Sequence, residues 1–333
     1  MILGQIVIGG ITRLTGSGLS ITKWEIVTGA VPPLSEAHWQ EEFELYKETP
    51  QYAKINDGMT LSDFKFIYFW EYFHRLWARS MGFVFLIPFI IFWRKGWIDK
   101  PLMRDLGIVV VLAALTASFG WIMVASGLIE RPWVNAYKLT MHLSIACVTY
   151  GYLLWTTFKV FHPELSTFPQ GMWKSGPLWI TGIAIVQIML GGIMSGAKAA
   201  LAYPTWPDMH GAVVPQVLLD SANWTVDNFV NYDKNLFFPA LVQFLHRGTA
   251  YLLTIIVLYF AFRALKRGFN STFTRSIYLL ITLLVIQVLL GIFTLIHSIG
   301  VVPVGLGVLH QLGGILLLSV LLFIDFQLYS RRY

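Results

Sequence analysis

Seven stretches of this chain are apolar for long enough to cross a bilayer, and no other feature constrains its fold as tightly. A hydrocarbon core of ~30 Å asks for roughly 20 consecutive apolar residues in a helix. Runs that meet this requirement lie near 66–93, 106–129, 138–160, 177–194, 236–262, 276–298 and 306–328. In lipid, every main-chain N–H and C=O must find its partner inside the segment, so such runs dictate helices. Composition agrees. Only 13% of the 333 residues are charged, against about 25% in soluble domains, and 56% are hydrophobic. The chain is read as an all-α polytopic membrane protein.

The opening run, Met1 to Ile11, is about half the required length and is expected to be the end of a first helix whose beginning is missing. No signal or transit segment is recognisable, although a shortened start would hide one. Basic residues mark the short loops. Arg94, Lys95, Lys100 and Arg104 lie between the second and third helices, Arg263, Lys266, Arg267 and Arg275 between the sixth and seventh, and Arg331 and Arg332 close the chain. By the positive-inside rule these segments face the cytoplasm or matrix, and the long polar loops, about 12–65 and 195–235, face outward. That orientation requires eight helices, the first incomplete. The net charge of +6 is therefore a topology signal and not a nucleic-acid patch. With Cys147 as the one cysteine, an internal disulfide, a thiolate zinc site and a Cys-ligated iron–sulfur cluster are excluded.

The two halves repeat each other. Gln5-Ile6-Val7-Ile8-Gly9-Gly10 recurs as Gln187-Ile188-Met189-Leu190-Gly191-Gly192, Trp24 as Trp206, and Phe73-His74-Arg75 as Leu245-His246-Arg247. Gly120 pairs with Gly291 and His142 with His310. The offset shrinks along the chain, as differences in loop length would make it. Four spans per repeat is an even number, so both halves enter the membrane the same way. The expected architecture is two pseudo-symmetric four-helix bundles, residues 1–162 and 163–333, related by an axis along the membrane normal.

Of eight histidines, His38, His162, His210 and His297 fall in loops or at span ends. His74, His142, His246 and His310 fall within spans, at one depth, two per bundle. A single intramembrane histidine is often a hydrogen-bonding link between helices. Four at one depth, in register with a duplication, point further, because an imidazole in hydrocarbon is costly unless it is satisfied. Two facing imidazoles in a bundle can supply both axial ligands of a haem iron. A bare zinc or copper centre would need more protein ligands than the C-terminal half offers at this depth. Arg75 and Arg247 directly follow their histidines; each either pairs with a haem propionate or snorkels to the interface. The glycine pairs Gly9-Gly10 and Gly191-Gly192 admit either a flat macrocycle or a neighbouring helix.

One difference separates the halves. The first reads Glu71-Tyr72-Phe73-His74-Arg75, the second Gln243-Phe244-Leu245-His246-Arg247. Glu71 shares a helical face with His74 and can handle protons there, whereas Gln243 cannot titrate. The alternative is a Glu71–Arg75 ion pair with a structural duty. The N-terminal bundle is thus expected to be the reactive site and the C-terminal one a saturated electron-transfer or structural haem.

At this point the chain resembles the haem A synthase family. Gly9-Gly10-Ile11-Thr12-Arg13-Leu14-Thr15-Gly16-Ser17-Gly18-Leu19-Ser20, followed by Val31-Pro32-Pro33-Leu34, is similar to that family's first outward loop. The stretch Thr60 to Arg79 with Glu71, His74 and Arg75, and Gly120-Trp121, Met123-Val124, Ser126-Gly127-Leu128 and His142 resemble its second to fourth helices. Pro204-Thr205-Trp206-Pro207, His246-Arg247 and His310-Gln311 extend the resemblance over essentially the whole chain, and the cysteine-free first loop matches the mitochondrial and proteobacterial branch. Three departures stand out: Leu115-Thr116-Ala117 where the family carries a Gln-Gly pair, Lys138 in place of an arginine, and the short first helix. The resemblance implies that His246 and His310 hold haem b, and that His74 and His142 bind the substrate haem O with Glu71 essential nearby. The implied reaction converts the C8 methyl of haem O to a formyl group through oxygen-dependent hydroxylations, giving haem A for terminal oxidase biogenesis. It also implies molecular oxygen, an external electron donor (ferredoxin-type or quinol) and a haem O synthase as partners, and leaves a homo-oligomer open. The rival reading is a di-haem membrane cytochrome passing electrons from quinol without oxygenase chemistry. With no transit-like segment in view, a bacterial cytoplasmic membrane is expected rather than a mitochondrial inner membrane.

Overall fold

The structure, a computed structural model, describes residues 1–23, 31–127, 131–162 and 176–329. Trp24 and Leu128, read above as parts of motifs, lie outside the described residues. Among the described residues the fold is helical throughout, and the lone β-bridge joins Met209 to Ala212. In chain order the α-helices are α1 (Ile2–Leu14), α2 (Glu36–Lys47), α3 (Leu61–Arg94), α4 (Lys100–Gly127), α5 (Ala136–Phe161) and α6 (Gly176–Gly196). They continue with α7 (Gln216–Leu219), α8 (Val226–Val230), α9 (Phe237–Leu265), α10 (Ser271–Ile296) and α11 (Val304–Tyr329).

Six of them, α3, α4, α6, α9, α10 and α11, are long and apolar enough to cross a membrane. Two of the eight expected spans fall short of that standard. Helix α1 has 13 residues. Helix α5 has 26 residues and coincides with the expected span, but Thr140, Thr149, Thr156 and Thr157 and three tyrosines dilute its apolar surface. Each of those threonine hydroxyls donates to the carbonyl one turn back, which is how a polar side chain is accommodated in an apolar helix.

The chain divides into two compact units, Met1–His142 and Leu143–Tyr333. In the N-terminal unit the packed apolar cluster lies between α2 and the first turns of α3, where Phe43, Tyr46, Phe64, Ile67 and Tyr68 are buried. Thr60 and Asp63 cap α3 reciprocally and fix where it begins. Beyond Glu71 that helix buries none of its residues fully, and Phe83, Val84, Ile87 and Ile91 are exposed, the surface that lipid covers. In the C-terminal unit α6, α9, α10 and α11 enclose a continuous apolar core that includes Ile180, Val257, Ile277, Leu280, Leu321 and Ile324. Its nearest members on α9 and α11, Leu253 and Leu317, come two turns after His246 and His310, roughly 10 Å along each helix. The histidines therefore sit above a dry plug, toward the end of the bundle where α9 and α11 begin.

Candidate functional site: four histidines seated on glycines

Each of the four histidines lies against a glycine of another helix, on α1 for His74, α4 for His142, α6 for His246 and α10 for His310. A Cβ added at Gly9 would come 3.1 Å from His74 Nε2, at Gly120 3.0 Å from His142 Cε1, at Gly191 3.4 Å from His246 Cε1, and at Gly291 2.9 Å from His310 Cε1. What these glycines admit is therefore a neighbouring helix through its imidazole ring, the second of the two readings of the glycine pairs. Losing the side chain lets the ring rest on the helix surface, at the usual cost in helix propensity of about 1 kcal/mol per glycine.

One turn before three of those glycines stands a glutamine, and each donates from Nε2 to the main-chain carbonyl of the histidine opposite. Gln5 reaches His74 O at 3.2 Å, Gln187 reaches His246 O at 3.1 Å, and Gln287 reaches His310 O at 3.0 Å. The same nitrogens of Gln5 and Gln187 lie 2.9 and 3.2 Å from the ring Nε2 of His74 and His246. The fourth position holds Thr116. There the ring itself bonds, His142 Nδ1 lying 2.9 Å from Thr116 O. Sequence reasoning singled out the glycines and missed the glutamines. The signal was present as Gln-x-x-x-Gly at 5–9, 187–191 and 287–291, with Thr-x-x-x-Gly at 116–120.

In the C-terminal unit His246 and His310 face each other with ring centroids 6.3 Å apart and planes at 79°. Each has a buried Nδ1 without a hydrogen-bond partner. In the N-terminal unit His142 is close enough to His74 for the two rings to interact electrostatically. The remaining histidines, His38, His162, His210 and His297, are exposed. Among the described residues no three His, Cys, Asp or Glu side chains converge as a metal site.

The residue one turn before each arginine ties its helix to a long loop, with opposite polarity in the two halves. Glu71, 3% exposed, accepts through Oε2 from Ser20 N (2.7 Å), Ser20 Oγ (2.8 Å) and Ile21 N (2.9 Å), while Arg75 pairs with Oε1 at 2.5 Å. Arg75 also donates to Ile21 O. In the second half Gln243, fully buried, donates to Tyr203 O at 2.8 Å. Arg247 there donates to Asp208 O (2.8 Å), Thr205 O (2.7 Å) and Tyr203 O (3.0 Å). A carboxylate gathers N–H groups and an amide gathers a carbonyl, so each loop is held by the group it lacks. The Arg75 side chain is 11% exposed and Arg247 is buried. Arg247 Nε is left without a partner. The loop it grips carries a half-buried Asp208, whose carboxyl is held below the usual range first by the Gly211 N–H and then by the Thr205 hydroxyl.

Comparison with known proteins identifies the family. The model of the COX15-CtaA family, described as cytochrome oxidase assembly protein, matches residues 1–322. A "Heme A synthase" of Sinorhizobium medicae (strain WSM419) is 42% identical over 315 residues, covering 94% of this chain and 83% of the relative. The protein of that name from Nitrosospira multiformis is 37% identical, covering 98% and 90%, and that of Flavobacterium johnsoniae 36%, covering 96% and 92%. The chain therefore belongs to the COX15-CtaA family of cytochrome oxidase assembly proteins, which includes the haem A synthases.

Proposed function

We propose that the protein oxidises the C8 methyl of haem O to a formyl group, producing haem A in a bacterial cytoplasmic membrane. The observation that carries this reading is the repeated seat, an imidazole on a helical glycine, formed twice in each half. Residues 1–162 and 163–333 are read as two four-helix bundles with α1 and α5 completing the eight spans, the long loops facing outward. His246 and His310 are assigned to haem b. Their 6.3 Å separation leaves room for one metal atom bonded to a nitrogen of each ring at about 2 Å. The unpartnered Nδ1 atoms and the unpartnered Arg247 N–H suit a group that brings both a metal and carboxylates. Bound there, haem b supplies a one-electron iron couple.

His74 and His142 are assigned to the iron of the substrate, haem O, with Arg75 and Arg247 beside the carboxylate edges of the two macrocycles. Gly9 and Gly120 set how deeply the two rings retreat into their neighbouring helices. Glu71 distinguishes this half. Its carboxylate, which accepts from the Ser20 hydroxyl, is read as the group that handles protons in this half. Each hydroxylation of the methyl consumes dioxygen, two electrons and two protons and releases water, and loss of a further water leaves the formyl group. The electrons come from an external ferredoxin-type or quinol donor.

The test is acid extraction and chromatography of haems from membranes expressing the protein, with and without a haem O synthase. Haem A, or its hydroxymethyl precursor, appearing only when haem O is supplied supports the reading. Haem b alone in both membranes, with the protein intact, selects the electron-transfer cytochrome instead.

A further inference from the structure

We infer that Gln187 and Gln287 are positioning residues for the iron-ligating histidines of the C-terminal half, and that Thr116 gives His142 a different seat by leaving its ring, not its main chain, to make the inter-helix bond. The inference rests on the ligand assignment proposed above. Its basis is the placement of the four hydrogen bonds.

A helical carbonyl already accepts from the N–H four residues on, but its oxygen has a second lone pair. Gln187 and Gln287 use that lone pair on His246 and His310 themselves and on no neighbouring residue. An amide bonded there fixes the Cα from which the imidazole springs, and with it the depth and rotation of the ring. The glycine one turn further on lets the two backbones approach closely enough for the amide to reach. Gln287 is confined from the other side too, because its amide oxygen lies against Gly313, where a side chain would collide with it. Gln187 adds a contact of 3.2 Å to His246 Nε2, so it senses ring orientation directly. Outer partners of this kind orient metal-bound histidines and tune the metal they bind.

Thr116 cannot do the same. Its hydroxyl is short and is turned back to Leu112 O at 2.8 Å. Its carbonyl instead meets His142 Nδ1. An Nδ1–H donated to a carbonyl makes Nε2 the nitrogen that carries the free electron pair, and it makes the ring a stronger donor to a metal. His310, in the matching place, has no partner at Nδ1. Two histidines equivalent by repeat are thus held in opposite ways, one through its main chain and one through its ring.

The experiment uses purified holoprotein and measures haem b content, midpoint potential and the ferric low-spin electron paramagnetic resonance signal. Gln187→Met and Gln287→Met keep side-chain length and packing but remove the donor. The expected result is a displaced resonance signal or potential, or haem lost on dialysis at least several-fold faster than from the parent. Where a methionine variant does not accumulate, Gln187→Leu or Gln287→Leu replaces it, since an alkyl side chain offers the carbonyl no donor. Parent-like signal, potential and retention in these variants overturn the inference. Thr116→Gln, in protein loaded with haem O, should move the signal of the N-terminal pair toward that of the C-terminal pair; an unmoved signal overturns the part concerning His142. Full haem b content in His246→Ala would instead overturn the ligand assignment, so the two failures are distinguishable.

Discussion

Glu71 holds Ser20 at two points, accepting both its main-chain N–H at 2.7 Å and its hydroxyl at 2.8 Å on the same carboxylate oxygen. With Ile21 N on that oxygen and Arg75 on the other, a buried carboxylate one turn from His74 fastens the start of the loop that follows α1. Glu71 is thereby both the candidate proton-handling group and the anchor of the loop. These roles make different demands on a substitution.

Glu71→Gln keeps the length and one acceptor oxygen but sets an N–H against Arg75 or against the three donors. It is expected to retain haem and to lose formation of haem A. Glu71→Ala leaves the donors of Ser20 and Ile21 unsatisfied, at about 1–3 kcal/mol for each buried group. It should add rapid proteolytic cleavage near Ser20. Haem extraction and limited proteolysis on the two variants separate the roles, and full activity in Glu71→Gln would leave Glu71 a loop anchor only.

His246→Ala and His310→Ala are each expected to abolish the b-type absorption spectrum of the purified protein. His210→Ala, which alters an exposed loop histidine, should not. Retention of the spectrum in either of the first two variants would refute the assignment of axial ligands.

Glycines in contact with histidine should tolerate no methyl group, while those facing open space should. Gly291→Ala and Gly120→Ala place a Cβ about 3 Å from an imidazole carbon, and overpacking of this kind costs typically 1–3 kcal/mol. Gly248→Ala meets nothing within 4 Å and should be neutral or stabilising by up to about 1 kcal/mol. Thermal melts and haem content of the three variants check the contrast.

Tyr46 predicts an alkaline transition in the cap that α2 forms on the first turns of α3. Burial is the main cause that raises its phenol to about 12, although a hydrogen bond from Asn56 works the other way. Its hydroxyl also donates to Gln51, which in turn holds Gly16 O. A folded-state value above the unfolded one means that the contribution is complete below about pH 10. It is then lost as pH rises through about 12. Titration of tyrosinate absorbance in parent and Tyr46→Phe, with proteolysis of the cap followed alongside, tests this. A cap in Tyr46→Phe as resistant as the parent's at neutral pH would remove Tyr46 from that role.

Arg247→Lys should release the loop that follows α6. One ammonium cannot span the carbonyls of Tyr203, Thr205 and Asp208 that the planar guanidinium reaches together. Faster cleavage between Tyr203 and Asp208 is the expected readout.

Much of the molecule could be read from the chain alone. Apolar run lengths determine a helical membrane protein, because lipid leaves a main chain no other way to satisfy its polar groups. The duplication, the four histidines in register and the Glu71/Gln243 difference are likewise visible as letters, and the motifs they belong to identify the family. What the sequence could not decide is which atoms meet. A soluble helix announces its inner face by polarity, but a helix flanked by both lipid and protein is apolar on every side, so its rotation is hidden. Only the tertiary structure places Gln187 and Gly191 on the turn that faces His246, and brings Ser20 back over Glu71 from 51 residues away. Such contacts depend on the depth and rotation of two helices at once, which are settled by packing across the bundle and not by the local chain.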